Sequence, residues 1–212
     1  DEKNGIVPDL RPVLGTISDR GQEFELFIKD KTSGESKSFG IFTTPMYGEY
    51  NALNTVAVLG ILHQAGFDIQ SQAVRNAVAS FPGMKRRQEV VGEILIKNAD
   101  AGASPNSNAS SDKVTIIDDF AHHPTAVLET LKGIRNRFPG RRIVALFEPR
   151  SNTSRRKMFE HTYPAALATA DLIGIKTPPY RAEVDAGQDL LDPHVIERDV
   201  QALGKEIILT ET

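Results

Sequence analysis

Cysteine is absent from this 212-residue chain. Without a thiol there is no disulfide framework, thiolate zinc site, iron–sulfur cluster or cysteine nucleophile. Long apolar runs are missing as well: none approaches the roughly 18 residues that span a bilayer, so no membrane partner is expected. The first residues, Asp1-Glu2-Lys3-Asn4, have neither a signal-peptide core nor an initiator methionine. That is compatible with a cytoplasmic location and points to a processed or cropped chain. An excess of one charge is also lacking. Lys and Arg number 25 against 28 Asp and Glu, a net charge of -3, which gives no global drive towards nucleic acid or an anionic surface. The sequons at Asn108 and Asn152 bear only on a secreted eukaryotic protein, and nothing else points to secretion. There is no G-x-S-x-G elbow, no H-E-x-x-H, no G-x-G-x-x-G and no G-x-x-x-x-G-K-[ST]. Nothing in the chain therefore wraps a triphosphate in the usual way.

What is present suits a packed soluble protein. The composition is 40% apolar and 25% charged, and the length allows one large or two small domains. Short apolar or alternating runs at 13–17, 23–28 and 38–43 read as strands, with a turn over 30–34. The spacing then predicts a helix over 51–64, apolar around most of its circumference and so expected to be buried on several sides, with Gly66 as its stop. A second helix follows over 71–80. Phe81-Pro82-Gly83 punctuates the chain, and a domain boundary is expected there, dividing 1–82 from 83–212. Beyond it come a strand over 89–96 and a segment over 98–112 without apolar periodicity, read as a mobile hairpin loop. From residue 113 strands (113–118, 142–147, 171–175, 205–210) alternate with helices (124–137, 154–169, 188–203). That alternation predicts an α/β, Rossmann-like, mostly parallel doubly wound sheet.

Two of these strands end in polar clusters. The strand at 113–118 runs into Asp118-Asp119-Phe120-Ala121-His122-His123-Pro124, and the strand at 142–147 into Glu148-Pro149-Arg150-Ser151-Asn152-Thr153-Ser154-Arg155-Arg156. Ligands bind beyond the carboxyl ends of strands in open α/β sheets, so consecutive strands delivering such groups to one edge predict a site. Asp119 suits either ribose hydroxyls or the cap of the following helix, and His123 is a second candidate for that cap. His122 and His123 diverge, so they are poor joint metal ligands; one imidazole facing the crevice suits hydrogen bonding or proton transfer. Arg150 directly follows a strand end and favours a carboxylate or phosphate; Ser154 or Thr153 is the expected cap of the next helix. The loop over 178–187 is placed at the same edge. Gly83-Met84-Lys85-Arg86-Arg87-Gln88-Glu89 is a short basic run from which one arginine can reach a phosphate at an interdomain hinge.

Taken together these residues resemble the Mur ligases, ATP-dependent amide ligases that build peptidoglycan precursors on UDP-N-acetylmuramate. Gly48-Glu49-Tyr50-Asn51-Ala52-Leu53-Asn54 resembles their G-x-H-N-x-x-N block with Tyr50 in the histidine position. Gly83 to Glu89 resembles their G-x-x-x-R-x-E hinge block, and Asp118 to Pro124 their D-D-Y-A-H-H-P. Within the family, E-P-R-S-N-T-S-R resembles the murein peptide ligase branch, which attaches L-alanyl-γ-D-glutamyl-meso-diaminopimelate to UDP-N-acetylmuramate in peptidoglycan recycling. The alternatives are the L-alanine-adding branch, or a non-catalytic α/β module that binds a nucleotide or peptide.

The resemblance implies that 1–82 is the end of a central ATP-binding domain and 83–212 a C-terminal Rossmann-like domain, trimmed at its end. The remaining central and N-terminal domains would be its partners. It implies nucleotide contacts from Asn51, Arg87 and Asp119, a catalytic role for His122, and substrate contacts from His122, His123, Arg150, Ser151, Asn152, Thr153 and Arg155. ATP and Mg2+ would be required, with magnesium ligands outside this chain. The implied chemistry is an acyl phosphate attacked by the incoming amine, and this chain alone would be inactive.

Overall fold

The computed structural model describes residues 9–96 and 112–210. The predicted loop at 98–112 therefore falls almost wholly outside the described residues. The chain divides into two compact units: residues up to Pro82 together with those from Ala121 onward, and Gly83–Phe120.

The first unit opens with an antiparallel meander, β1 (Leu10–Ser18), β2 (Gly21–Lys29) and β3 (Ser36–Thr44), in that spatial order. Strand alternation puts Phe24 and Leu26 of β2 on one face, opposite Phe42 of β3, and the Phe24 and Phe42 rings stack at 5.8 Å between centroids. The turn between β2 and β3 is held by Asp30, whose Oδ1 accepts the Thr32 and Ser33 N–H groups at 2.8 Å each. These bonds keep its carboxyl below the usual range. Two helices cover the inner face, α1 (Glu49–Gln64) and α2 (Gln72–Ala79). Their core with the sheet comprises Phe24, Leu26, Phe42, Ala52, Val56, Leu59 and Ile69.

Glycine matters at both ends of α1. Gly48 enters it at φ 98° and ψ 151°, a region essentially closed to residues with a Cβ. Gly66 leaves it at φ 84°. Apolar around its circumference, α1 was expected to be buried on several sides. Only Asn51, Ala52, Val56 and Leu59 are buried, while Ile61 is 70% exposed and Leu53 and Val58 are exposed too. One helix can bury only the faces its neighbours reach, chiefly β1, β2 and the helix at Pro124–Arg137.

The later part of the same unit is α/β. It comprises α3 (Pro124–Arg137), β6 (Val144–Phe147), α4 (Tyr163–Leu167), β7 (Leu172–Lys176), α5 (Ala182–Asp185), α6 (Pro193–Ala202) and β8 (Glu206–Thr210). The strands β6, β7 and β8 form a parallel sheet in that order. Tyr163, Ile173, Ile175, Ile196 and Val200 are fully buried in its core. The parallel sheet bears out the predicted α/β class.

Two helices are shorter than the periodicity suggested. The predicted helix over 154–169 is a turn, a single 3-10 turn (Lys157–Phe159) and the short α4. Pro164 has no N–H and stands in the first turn of α4, so no continuous helix passes through it. Upstream, backbone groups bond sideways: Lys157 N–H donates to Asp189 O at 3.0 Å and Leu191 N–H to Arg155 O at 2.9 Å. The same pairing holds 189–191 extended and delays α6 to Pro193, where Asp192 caps it through the His194 N–H at 2.9 Å.

The second unit is a hairpin of β4 (Glu89–Ile96) and β5 (Asp112–Asp118), paired antiparallel. The strand ending in Asp118-Asp119 was expected in the parallel sheet; its hydrogen-bonded partner is β4. An apolar run encodes a strand but not which partner it takes.

The α3–β7 junction carries a prediction. Asp171 Oδ2 accepts the Ile143 N–H at 2.7 Å and Arg135 Nη2 at 2.8 Å. Chiefly through the first of these bonds, its carboxyl titrates below the usual range. A lowered folded value gives stability that is complete above the unfolded pKa of about 3.9 and is lost as pH falls through the folded one. Asp171→Asn should therefore lower the urea midpoint at pH 7 and narrow the wild-type drop between pH 5 and pH 2.

Candidate functional site at the carboxyl edge of the parallel sheet

Phe147 ends β6 and Lys176 ends β7, and the loops 148–156 and 177–187 leave from the same edge because the strands are parallel. Lys176 Nζ lies 3.9 Å from Glu148 Oε1 across that edge. After Pro149 the chain makes a tight turn. Ser151 Oγ accepts the Ser154 N–H at 3.0 Å and Ser151 O accepts the Arg155 N–H at 3.2 Å. Ser154 or Thr153 was expected to cap a helix; the serine that accepts the turn's N–H is Ser151, and no helix starts there. The turn leaves Arg150, Asn152 and Thr153 exposed. Among the described residues Arg150 has no hydrogen-bond or ion-pair partner.

Tyr163 joins this turn to the residues before α3. Its ring is fully buried between Phe147 and Phe159, with centroids 4.9 and 6.2 Å away. Its hydroxyl donates to His122 O at 2.6 Å, and Ser154 O lies 3.4 Å from the same oxygen. Burial pushes the phenol far above its ordinary pKa, so it stays a donor. His122 is half-buried in that turn. His123 is engaged differently. Its Nδ1 accepts the Thr125 N–H at 3.3 Å as the cap of α3, and its ring meets Phe159 edge-on at 4.9 Å. Capping therefore falls to His123, and a substrate role would have to use its other nitrogen.

Arg155, expected to contact substrate, requires correction. It is 3% exposed, ion-paired with the equally buried Asp185, and donates to Pro179 O at 2.8 Å. Its guanidinium is turned into the protein, where it ties the two loops together. Burial alone would raise the Asp185 carboxyl. The Arg181 N–H at 2.7 Å and the Arg155 guanidinium outweigh that and hold it below the usual range. Arg181 reaches back to Asn152, donating from Nη2 to Oδ1 at 3.1 Å. Tyr163, Arg181 and Asp185 were not singled out in the sequence. The only signal for the latter two was the charged, proline-rich segment around them.

The remaining candidates belong to other elements. Asn51 is buried in the first turn of α1, its Nδ2 donating to Tyr47 O at 2.8 Å. In the hairpin unit, Asp119 Oδ2 accepts the Gln88 N–H at 2.8 Å. Arg86 pairs with Asp118 at 3.3 Å, and the Arg86 and Arg87 guanidiniums lie 4.9 and 5.8 Å from the Phe120 ring centroid. Arg86 and Gln88 both adopt positive φ, 58° and 48°, a costly conformation for residues with a Cβ. No group of three or more His, Asp or Glu that could hold a metal occurs among the described residues. A recess of about 590 Å³ between β1 and α1 is lined mainly by Leu10, Leu53, Val56 and Ile61. Asp9 and Gln64 are its polar lining residues.

Residues 106–207 match the family described as Mur ligase, glutamate ligase domain. This stretch is a Mur ligase C-terminal domain. The chain is 33% identical over 145 residues to UDP-N-acetylmuramate–L-alanine ligase of Streptococcus sanguinis, covering 68% of this chain and 28% of that protein. The crystal structure of a UDP-N-acetylmuramate–alanine ligase from Thermotoga maritima matches with TM-score 0.65 and 21% identity, over 96% of this chain and 37% of that one. That of a murein peptide ligase from Psychrobacter arcticus matches with TM-score 0.56 and 23% identity, over 96% and 36%. These structural likenesses establish the fold. The chain thus spans about 28% of the length of the curated relative it matches.

For this Mur ligase domain, Tyr163→Phe should keep the ring packing but lose the hydrogen bond to His122. The expected cost is about 1–3 kcal/mol in urea unfolding. An unchanged midpoint would remove Tyr163 as the link between the two turns.

Proposed function

We propose that this chain is the C-terminal portion of an ATP-dependent ligase that joins an L-alanyl amine to the muramate carboxylate of UDP-N-acetylmuramate. In this reading residues 1–82 close the central ATP-binding domain, and 83–212 form the domain that brings the amine. The observation that carries it is Arg150: an exposed guanidinium, without a partner among the described residues, in the first turn beyond β6, where a planar fork of donors suits a carboxylate. Ser151, Asn152 and Thr153 share that turn and His122 lies across Tyr163 from it, so these groups orient the incoming molecule. His122 is suited to accept the proton that the amine loses on acylation. Asn51, Arg87 and Asp119 are assigned to the nucleotide; after its bond to Tyr47, Asn51 has one amide N–H and its oxygen left for an adenine edge. Bound ATP supplies the phosphoryl group that activates the carboxylate. Magnesium ligands are assigned to the rest of the ligase. The contribution of this domain is positioning.

Two acceptors present an L-alanyl amine. The curated relatives support free L-alanine. The block Glu148-Pro149-Arg150-Ser151-Asn152-Thr153-Ser154-Arg155 supports the tripeptide L-alanyl-γ-D-glutamyl-meso-diaminopimelate, whose additional carboxylates suit an exposed arginine. Turnover of each acceptor by the complete ligase decides between them.

Incubated alone with ATP, magnesium, UDP-N-acetylmuramate and either acceptor, this chain should release no phosphate; steady release would overturn the fragment reading. In the complete ligase Arg150→Ala should weaken kcat/KM for the acceptor by about 1–3 kcal/mol while leaving the KM for ATP in place. Equal losses for both substrates would remove Arg150 from the acceptor site.

A further inference from the structure

Arg181 lies outside every motif in the sequence, yet it fixes the orientation of one of the rim residues. It is half-buried in the loop after β7. Its backbone N–H is bound to Asp185 Oδ2 at 2.7 Å, and Asp185 is in turn locked to the buried Arg155. The loop holding Arg181 is thereby fastened to the turn holding Asn152. From that anchorage Nη2 donates to Asn152 Oδ1 at 3.1 Å, while Nε is buried with no acceptor among the described residues.

A guanidinium has donors only. Whatever meets it in a hydrogen bond must be an acceptor, so Asn152 has to turn its carbonyl oxygen to Arg181. The two ends of a carboxamide are nearly equal in shape, and a free asparagine can flip between them; Arg181 removes that freedom. Asn152 is exposed, in the same turn as Arg150. With Oδ1 engaged, what its amide has left to offer a ligand is the Nδ2 N–H pair. Arg150 and Asn152 therefore both present donors, a combination that welcomes a carboxylate or carbonyl and disfavours an ammonium group.

We propose that Arg181 is a positioning residue for acceptor recognition, holding Asn152 so that its N–H donors, beside Arg150, meet a carboxylate or carbonyl of the incoming amino acid or peptide. The proposal rests on the ligase reading above. It adds a selection rule to it: the acceptor is read by its oxygen atoms at this turn, and its amine is directed elsewhere.

The test uses the complete ligase with L-alanine and L-alanyl-γ-D-glutamyl-meso-diaminopimelate as acceptors. Arg181→Ala should raise the KM of the preferred acceptor about tenfold, with kcat and the KM for ATP changed less than about twofold. Asn152→Ala should do the same, and the double variant should be no worse than either single one, since the two act as a unit. Arg181→Lys, which keeps one donor and the charge, should recover part of the loss. Asn152→Asp is the sharper probe, and it carries the test if Arg181→Ala does not fold. It keeps an acceptor for Arg181, and so the melting temperature, but replaces the outward donors by an acceptor; acceptor KM should rise by more than in Asn152→Ala. A purely structural role predicts no such rise, and an unchanged KM in Asn152→Asp would overturn the proposal. Arg150→Ala, run in parallel, separates the two levels. If it raises acceptor KM and the Arg181 and Asn152 variants do not, the positioning role falls and the ligase reading stands. If Arg150→Ala also leaves KM unmoved, the acceptor site itself falls, and the role of Arg181 with it.

Discussion

The carboxyl edge of the parallel sheet depends on a phenol that never reaches solvent. Tyr163 stands at the start of α4 with its hydroxyl among backbone carbonyls of two segments far apart in sequence, the turn before α3 and the turn after β6. A buried hydroxyl without a partner is costly, so the bond to His122 is strongly favoured. Burial raises the pKa of the phenol far above its ordinary value, so it remains a donor at neutral pH. The aromatic shell of Phe147, Phe159 and the His123 ring then fixes where that donor can stand.

The buried pair of Arg155 and Asp185 is a second constraint of a different kind. Burying two charges costs desolvation that their attraction only partly returns, and such pairs often add little net stability. What the pair does is tie the loop after β7 to the turn after β6. It is reinforced by the Arg181 N–H and the Pro179 carbonyl. Arg155 still has a buried Nε without an acceptor among the described residues, a sign that the geometry of the loops, and not the hydrogen-bond inventory of this arginine, is what the arrangement satisfies. Arg150 and Arg155 are close in sequence and of identical chemistry, yet one is exposed, with no partner among the described residues, and the other is sealed inside.

The hairpin unit has its own economy. Positive φ at Arg86 and Gln88 is offset by an ion pair with Asp118, a backbone bond from Phe120 to Arg86, a carboxylate on the Gln88 amide and guanidiniums over the Phe120 ring. Strained backbone held by so many partners commonly accompanies function, and in the proposed reading this is the hinge block.

Much of this protein was legible in the one-dimensional pattern. The short apolar and alternating runs of the meander, the apolar run of α1, the helical spacing of α2, Gly66 as a helix stop and Pro124 as a helix start are local properties, encoded within a few residues and read without knowing neighbours. The polar clusters after the strands were visible for the same reason. Pairing and burial were not. Nothing within 113–118 says that it joins β4, and only the tertiary structure shows 155–157 bonding sideways to 189–191 in place of forming a helix. Which arginine of the E-P-R-S-N-T-S-R block faces solvent, and that Tyr163, Asp185 and Arg181 organise the rim, are likewise contacts across about 30 to 40 residues of chain. The sequence by itself determined the elements and the chemistry available at their ends, because those depend on near neighbours. The tertiary structure alone decided which groups remain free to meet a ligand, because that depends on what distant segments bring to cover or pair them.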